Sequence, residues 1–424
     1  MAAQQPDGGP RYRWVVLAVG AFGAAAFTGL RMGFPALGPE LRSVFGLSLG
    51  EVGLALAALS VGVTVTTVPW GMLTDRVGER PVLAGGLLAT SVALAGIAFT
   101  DGFPALLLGL LIVGAFGASS TGASGRAIMG WFTRHERGFA LGIRQMALPV
   151  GGALGSIALP LLADAGGLQA AFLASAGLVL TAAVTAAVFM RDAPPPAPGA
   201  HVVDAPKPLR DPRILRLGLG SGLLVCAQAA ILGFLVLFLH DELGLSAAFA
   251  AALLAALQLV GAAARIVAGR RSDREERRIQ PMRRHALAAA ALLVASAALT
   301  PAPAWIVVPL VMVAGVSTMA WNGLAFTAAA EMSGREQAGT AMSVQNTMTS
   351  VGTVVAPVAF GAFVEVTSWS PAFVALAACP LAAWWVLTPL VAEEELRADA
   401  REARLALAAR RAAAQQAEPS PTAS

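Results

Sequence analysis

The sequence predicts an all-α membrane protein of twelve transmembrane helices, arranged as two related six-helix bundles. Three observations predict it. Of the 424 residues, 57% are hydrophobic and only 13% are charged, with a mean hydropathy of +0.70. A water-facing surface needs roughly 25% charge, so hydrocarbon must be the outer solvent. Apolar runs recur at lengths near the roughly 20 residues that cross about 30 Å of bilayer. The second half of the chain also repeats features of the first.

The elements follow in order. Residues 1–13 form a polar N-terminal segment. The first run, 14–38, is not followed by a clear small-residue cleavage site, so it reads as a retained helix and not a removed signal. Spans 2 to 6 fall at 51–73, 81–100, 103–130, 138–162 and 168–190 and complete a first bundle, 14–190. Residues 191–213 (RDAPPPAPGAHVVDAPKPLRDPR) are proline-rich and polar, as expected of a semi-rigid linker. Spans 7 to 12, at 214–240, 246–268, 285–301, 304–328, 338–364 and 370–391, form a second bundle, 214–391. In the tail, 392–424, Glu and Arg alternate with Ala and Leu up to about residue 412, as in a surface helix with i,i+4 pairing. From Gln415 the composition predicts disorder.

Charge placement sets the expected topology. Arg11, Arg13, Arg76, Arg80, Arg134, Arg137, Arg191, Lys207, Arg210 and Arg213 fall in one set of connections, with the Arg270–Arg284 cluster and Arg335. The opposite set holds Arg42 but otherwise acids: Glu40, Asp101, Asp164, Asp241, Glu242 and Glu365. The positive-inside rule puts both termini in the cytoplasm, with the chain integral to the plasma (inner) membrane.

Several function classes are disfavoured. Lys207 is the only lysine, so no Gly-Lys-Ser/Thr phosphate loop exists. Cys226 and Cys379 lie in apolar runs and read as small hydrophobes, not as a disulfide or metal pair. Four scattered histidines form no metal-ligand or nucleophile–base constellation, so neither an enzyme, a cofactor nor a bound metal is expected. Nucleic-acid binding is not expected, and the protein is expected to be a monomer.

The repeat is in register at polar positions. An offset of 198 sets Gly71, Asp75 and Arg76 on Gly269, Asp273 and Arg274. An offset of 201 sets Val150-Gly151 on Val351-Gly352. Many secondary transporters use such repeats to place a solute site at the interface between halves.

Gly71-Met-Leu-Thr-Asp75-Arg76-Val-Gly78-Glu79-Arg80 resembles the loop 2–3 signature of the major facilitator superfamily, and Gly269-Arg-Arg-Ser-Asp273-Arg274 resembles its second copy. Trp131-Phe132 followed by Glu136-Arg137-Gly138 resembles that family's loop 4–5. The resemblance implies the fold named above, alternating access, and a gating role for Gly71, Asp75, Arg76, Gly269, Asp273 and Arg274. The chain departs from the pattern at Glu79, where a base is usual, and at Glu276, where a glycine is usual.

Ionisable groups inside a bilayer cost about 2.5–3.5 kcal/mol on insertion scales, so they are candidates for function. The polar groups within spans are Arg31, Arg126, Arg144, Gln145, Gln228, Gln258, Arg265, Asn322, Gln345 and Asn346; spans 3, 6, 9 and 12 offer only Ser and Thr between their ends. The resemblance places those four helices outside the cavity. Arg265 lies eight residues before Asp273, roughly 12 Å along the helix. Arg265-Ile-Val-Ala-Gly269 also resembles the span-8 segment of monocarboxylate and oxalate transporters, which implies a carboxylate contact. Buried arginines without buried acids favour an anionic solute. The expected contacts are Arg265, then Arg31 and Arg144, with Gln145, Gln258, Asn322, Gln345 and Asn346 nearby. The alternative role for Arg265 is to tie helices together through backbone carbonyls. Proton coupling could use His240, Asp241, Glu242 or Glu331, each also readable as a wetted helix end. Gly29/Gly33 and Gly151/Gly155 suggest smooth faces for sliding between halves. A drug or metabolite exporter is the first rival reading, and a non-transporting receptor with the same fold is the second.

Overall fold

The computed structural model describes residues 11–132, 137–192, 210–275, 277–333 and 338–396. The expectations placed on the N-terminal segment up to residue 10, on most of the linker and on the tail beyond 396 lie outside the described residues. So do those on Glu136 and Glu276 and on the side chains of Asp75 and Gln145.

Each apolar run carries a helix, with spans 1 and 8 running seven residues past their predicted ends, to Phe45 and Glu275. Span 1 is Tyr12–Phe45, continuous through a 3-10 turn at Phe34–Leu37 that opens on Pro35. Span 2, Leu49–Val77, begins with a capping box in which Ser48 and Glu51 satisfy each other's backbone N–H groups. Gly78 ends it at φ +95°, and a Cβ there would stand 2.6 Å from the Asp192 carboxylate, so only glycine fits. Span 3 is Glu79–Ile97, and span 4 joins Phe103–Gly117 to Ser119–Trp131. Arg137–Phe189 is interrupted at Gly166 and Gly167, the latter at φ +70°, which divides it into span 5 (137–165) and span 6 (168–189).

The second half opens with span 7, Pro212–Glu242, capped by Asp211. Bonds from Arg213 hold the Asp211 carboxyl below the usual carboxylate range. Spans 8 and 9 are Ala247–Glu275 and Ile279–Ala298. Span 10 joins Ala304–Met319 to Asn322–Ser333, and spans 11 and 12 are Ala338–Val366 and Trp369–Val386.

Among the described residues, ten helical stretches are long and apolar enough to cross a membrane. One of them, Met146–Phe189, contains the break at Gly166–Gly167 and makes two crossings. Ile279–Ala298 supplies the twelfth. It starts six residues before the predicted 285, because Arg283 stays within the helix: its Nε donates to Trp384 O at 3.1 Å and its guanidinium lies over the Trp384 ring.

The repeat recurs as packing. In the first half span 1 packs on span 5, span 2 on span 4 and span 3 on span 6; in the second, span 7 packs on span 11, span 8 on span 10 and span 9 on span 12. A Cβ at Gly151 would stand 2.5 Å from Ala25 O, and one at Gly352 would stand 2.6 Å from Gly222 O, the same close approach in each half. Asp192, just after span 6, accepts from Arg80 N at 2.8 Å. Glu394, after span 12, accepts from the backbone N–H groups of Arg278, Ile279 (2.9 Å) and Gln280 (3.1 Å). Both acids cap the helix that begins each half's third span. Removing Glu394's charge as Glu394→Gln is expected to cost about 1–2 kcal/mol and to lower the melting temperature in detergent by a few degrees.

The glycine pairs need a correction. Gly33 and Gly155 meet backbone to backbone within the first half, as do Gly29 and Gly151. They are fixed contacts inside one bundle and not sliding faces between halves. Spacing reveals a smooth face but not what covers it.

Candidate functional site

The two halves touch through span 2 against span 11 and span 5 against span 8. The described starts of spans 1 and 7 and ends of spans 6 and 12 mark one face, here called the terminal face: Tyr12 OH donates to Phe189 O at 2.7 Å in the first half, and Arg213 stands 4.0 Å from Glu393 in the second. The polar and close backbone contacts between halves gather toward the other, distal face. Arg42 pairs with Asp241 across the ends of spans 1 and 7. Gly50 N donates to Glu365 at 3.1 Å. A Cβ on Gly53 would stand 2.4 Å from Pro357 O, and one on Gly361 would stand 2.4 Å from Leu49 O. Gln258 of span 8 enters a notch in the first half: its Nε2 donates to Ser156 Oγ at 2.8 Å and reaches Met32 O at 3.4 Å, and Gly152 leaves room for its amide oxygen.

Toward the terminal face the same helix surfaces separate. Gly71 follows Gly53 by 18 residues, five turns, so both lie on one side of span 2. A Cβ at Gly71 would meet nothing within 4 Å, and neither would one at Gly269 on the Gln258 side of span 8. Val68 is 66% exposed and Met72 55%. The bundles therefore form a wedge, closed distally and open toward the terminal face.

A cavity of about 160 Å³ lies at the apex of this wedge. Spans 1, 2, 7, 8 and 11 line it, with Arg31, Ser60, Gln228, Gln258 and Thr353 as polar groups and Leu56, Leu59 and Leu232 among the apolar ones. Among the described residues no Asp or Glu lines it, and Arg31 has neither a hydrogen bond nor an ion pair with the protein. Phe34 and Pro35, from the 3-10 turn that follows Arg31, line the same space.

Of the predicted contacts, Arg31 and Gln258 share this cavity. Arg265 stands outside its lining. Arg265 Nε donates to Met319 O at 3.0 Å, a carbonyl next to the interruption of span 10. The Gln228 amide is satisfied when its oxygen faces Arg265 Nη2 at 3.3 Å and its NH2 group faces Thr318 O at 3.2 Å. Asn322 Nδ2 lies 3.0 Å from that same amide. Arg265 and Asn322 thus reach the cavity only through Gln228. Arg144 is buried against span 4, with Nε donating to Ser124 Oγ at 2.9 Å. Gln345 is buried apart from the cavity with no partner for its amide oxygen, and Asn346 is exposed. Ser60, Gln228 and Thr353 are the lining groups that the sequence reading did not select. Gln228 was visible as a polar residue in mid-span; a serine and a threonine in a membrane helix usually bond their own helix and carry no such signal.

At the gating motif, Arg76, Asp273 and Arg274 are exposed on the terminal side. Asp273 pairs with Arg278 at 2.6 Å, and Arg278 also binds Glu331 of span 10 at 2.9 Å. In the first half the charges are exchanged. Glu79 is buried, with Arg126 Nε of span 4 at 3.2 Å from its carboxylate. An acid where a base is usual is therefore matched by an arginine on the facing helix. Cys226 and Cys379 are free and half-buried.

Comparison with known proteins gives a family model described as Major Facilitator Superfamily, matching residues 17–352. An uncharacterized MFS-type transporter of Mycobacterium tuberculosis is 33% identical over 374 residues, covering 88% of this chain and 84% of that protein. Shorter stretches match a chloramphenicol resistance protein of Pseudomonas aeruginosa (37% identity, 25% of each chain) and a D-galactonate transporter of Escherichia coli (30% identity, 24% of each). Among solved structures, a bacterial homolog of the human lysosomal transporter Spinster, in an inward-facing and occupied conformation, superposes with a TM-score of 0.73 at 18% identity. That match covers 91% of this chain and 96% of the homolog.

Proposed function

The chain belongs to the major facilitator superfamily of integral membrane transporters, and from that premise we propose that it carries a small organic or inorganic anion by alternating access, with Arg31 holding the anion's charge. One observation carries this reading: a guanidinium deep in span 1 lines the central cavity and, among the described residues, has no partner and meets no carboxylate there. A charge placed so deep is costly unless something in the cavity compensates it. A carboxylate or phosphate does so through charge-assisted, forked bonds. Gln228 and Gln258 offer amides to the remaining polar atoms of the solute, and the leucines take an apolar portion. A cavity of about 160 Å³ resembles the roughly 150 Å³ space that accepts benzene, which sets the scale at about six heavy atoms.

The arginine-rich connections support a cytoplasmic terminal face in the inner membrane, so the wedge is open to the cytoplasm. The similarity to a D-galactonate transporter is in keeping with an anionic solute. The similarity to a chloramphenicol resistance protein and the leucine wall favour the rival reading, a drug exporter, which predicts raised resistance on expression.

The test is a thermal-shift and vesicle-uptake panel of small anions with wild type and Arg31→Gln. Removing one charge-assisted pair is expected to weaken binding about 100-fold. If every anion that binds or enters does so equally well with Arg31→Gln, the anion reading is wrong. Arg265→Gln, which acts through Gln228, is expected to weaken the same binding only several-fold, as read in the same titration.

A further inference from the structure

We infer that the protein is an obligate exchanger, in which the empty carrier does not turn over and one anion must leave before the next is carried back. This rests on the anion reading above and adds the transport mode.

In the wedge-open state Arg31 is partly exposed at the apex of the wedge. To reorient, the bundles must also close that face, and Arg31 is then left with whatever the cavity encloses. About 160 Å³ holds on the order of five waters at about 30 Å³ each. Three acids at the distal closure are already engaged. Asp241 is paired with Arg42, Glu365 accepts from Gly50 N, and Glu51 accepts from Ser48 N in the capping box. None of the three lines the cavity. The neighbouring cations cannot help either, since Arg144 and Arg265 add positive charge and are held by a hydroxyl, a carbonyl and an amide. The loaded carrier closes around a neutral pair. The empty carrier closes around a lone cation, which raises the barrier for its return and slows it by on the order of 100-fold or more.

A carrier that returned empty without penalty would need an ionised carboxylate able to swing onto the arginine. No such acid stands in this cavity among the described residues. Exchange of two like-charged anions also moves no net charge across the membrane.

The experiment uses the full chain in phospholipid vesicles, with radiolabelled glycolate, lactate, pyruvate and phosphate as probes. Each is offered outside vesicles that are empty or preloaded with the same unlabelled anion. The expected result is uptake at least about 100-fold faster into preloaded vesicles, unchanged when a potassium diffusion potential is imposed. In Arg31→Gln the ratio of exchange to net uptake falls toward one for any anion still carried. Equal uptake into empty and preloaded wild-type vesicles overturns the exchange mode and leaves the anion site standing. No uptake of any probe in either condition, by wild type or variant, overturns the anion reading and the exchange mode with it.

Discussion

Gly155→Val is expected to abolish folding of the first bundle. A Cβ at this position would stand 1.9 Å from Gly29 O and 2.6 Å from Gly29 C, and both are backbone atoms of span 1. No side chain can move aside, so spans 1 and 5 must separate by more than an ångström at their closest approach. Separation forfeits the backbone-to-backbone contact that small residues permit in a membrane, where no hydrophobic force holds helices together. It also disturbs the neighbouring approaches of Gly33 to Gly155 and of Gly151 to Ala25. The expected loss exceeds about 3 kcal/mol, a large share of the roughly 5–15 kcal/mol by which domains are stable. Gly85→Val is the matched control, since a Cβ there meets nothing within 4 Å. Size-exclusion chromatography and melting in detergent read the result. Gly155→Val protein that is monodisperse and melts within a degree or two of wild type would show that spans 1 and 5 do not pack this way.

The same glycines mark what a sequence can and cannot convey. Their four-residue spacing identifies a smooth face, and the offset of 201 places Gly151 and Gly352 in equivalent positions. Their partners depend on which helix packs where, and that is a property of the whole bundle. The arginines teach the same lesson. Counting residues from the span ends places both Arg31 and Arg265 within the bilayer. Their roles are decided by rotation about the helix axis and by a local break. Span 10 is interrupted between Met319 and Asn322, and Arg265 binds the Met319 carbonyl beside that break. Asn322-Gly323 beside it is the one local sign of the interruption, and it does not say which side chain the freed carbonyl will meet. Arg31 precedes a 3-10 turn, stays without a protein partner and faces the cavity. The twelve spans, by contrast, were legible almost throughout because hydropathy is additive along the chain. The exceptions are ends: spans 1 and 8 run seven residues past their predicted ends, to Phe45 and Glu275, and span 9 starts six residues early, where Arg283 bonds and stacks on Trp384 in place of marking a loop. Glu79 looked like a defect in a motif because Arg126, which faces it, lies 47 residues further along the chain.

Gly71→Val is expected to leave folding intact and to cut turnover about 10- to 100-fold. In the described state a side chain at Gly71 would meet nothing within 4 Å, so melting in detergent should match wild type. Five turns away on the same side of span 2, Gly53 shows what closure demands: a Cβ there would stand 2.4 Å from Pro357 O of span 11. Alternating access requires the terminal face to close as tightly as the distal face does here. Gly71 and Met72 then come against the terminal half of span 11 as Gly53 now meets its distal half. Three extra carbons at that contact cost about 1–3 kcal/mol of overpacking, paid only in the other state. Each 1.36 kcal/mol is tenfold in rate or population. Gly53→Val should act in the opposite sense, destabilising the present state and favouring distal opening. The pair is therefore read best together, by substrate exchange in vesicles and by labelling of a cysteine placed at Val68. Label should enter Val68→Cys more readily with Gly71→Val than without it, and less readily with Gly53→Val. Full turnover in Gly71→Val would mean that the terminal face closes somewhere else, and the gating role implied by the motif would pass to other residues.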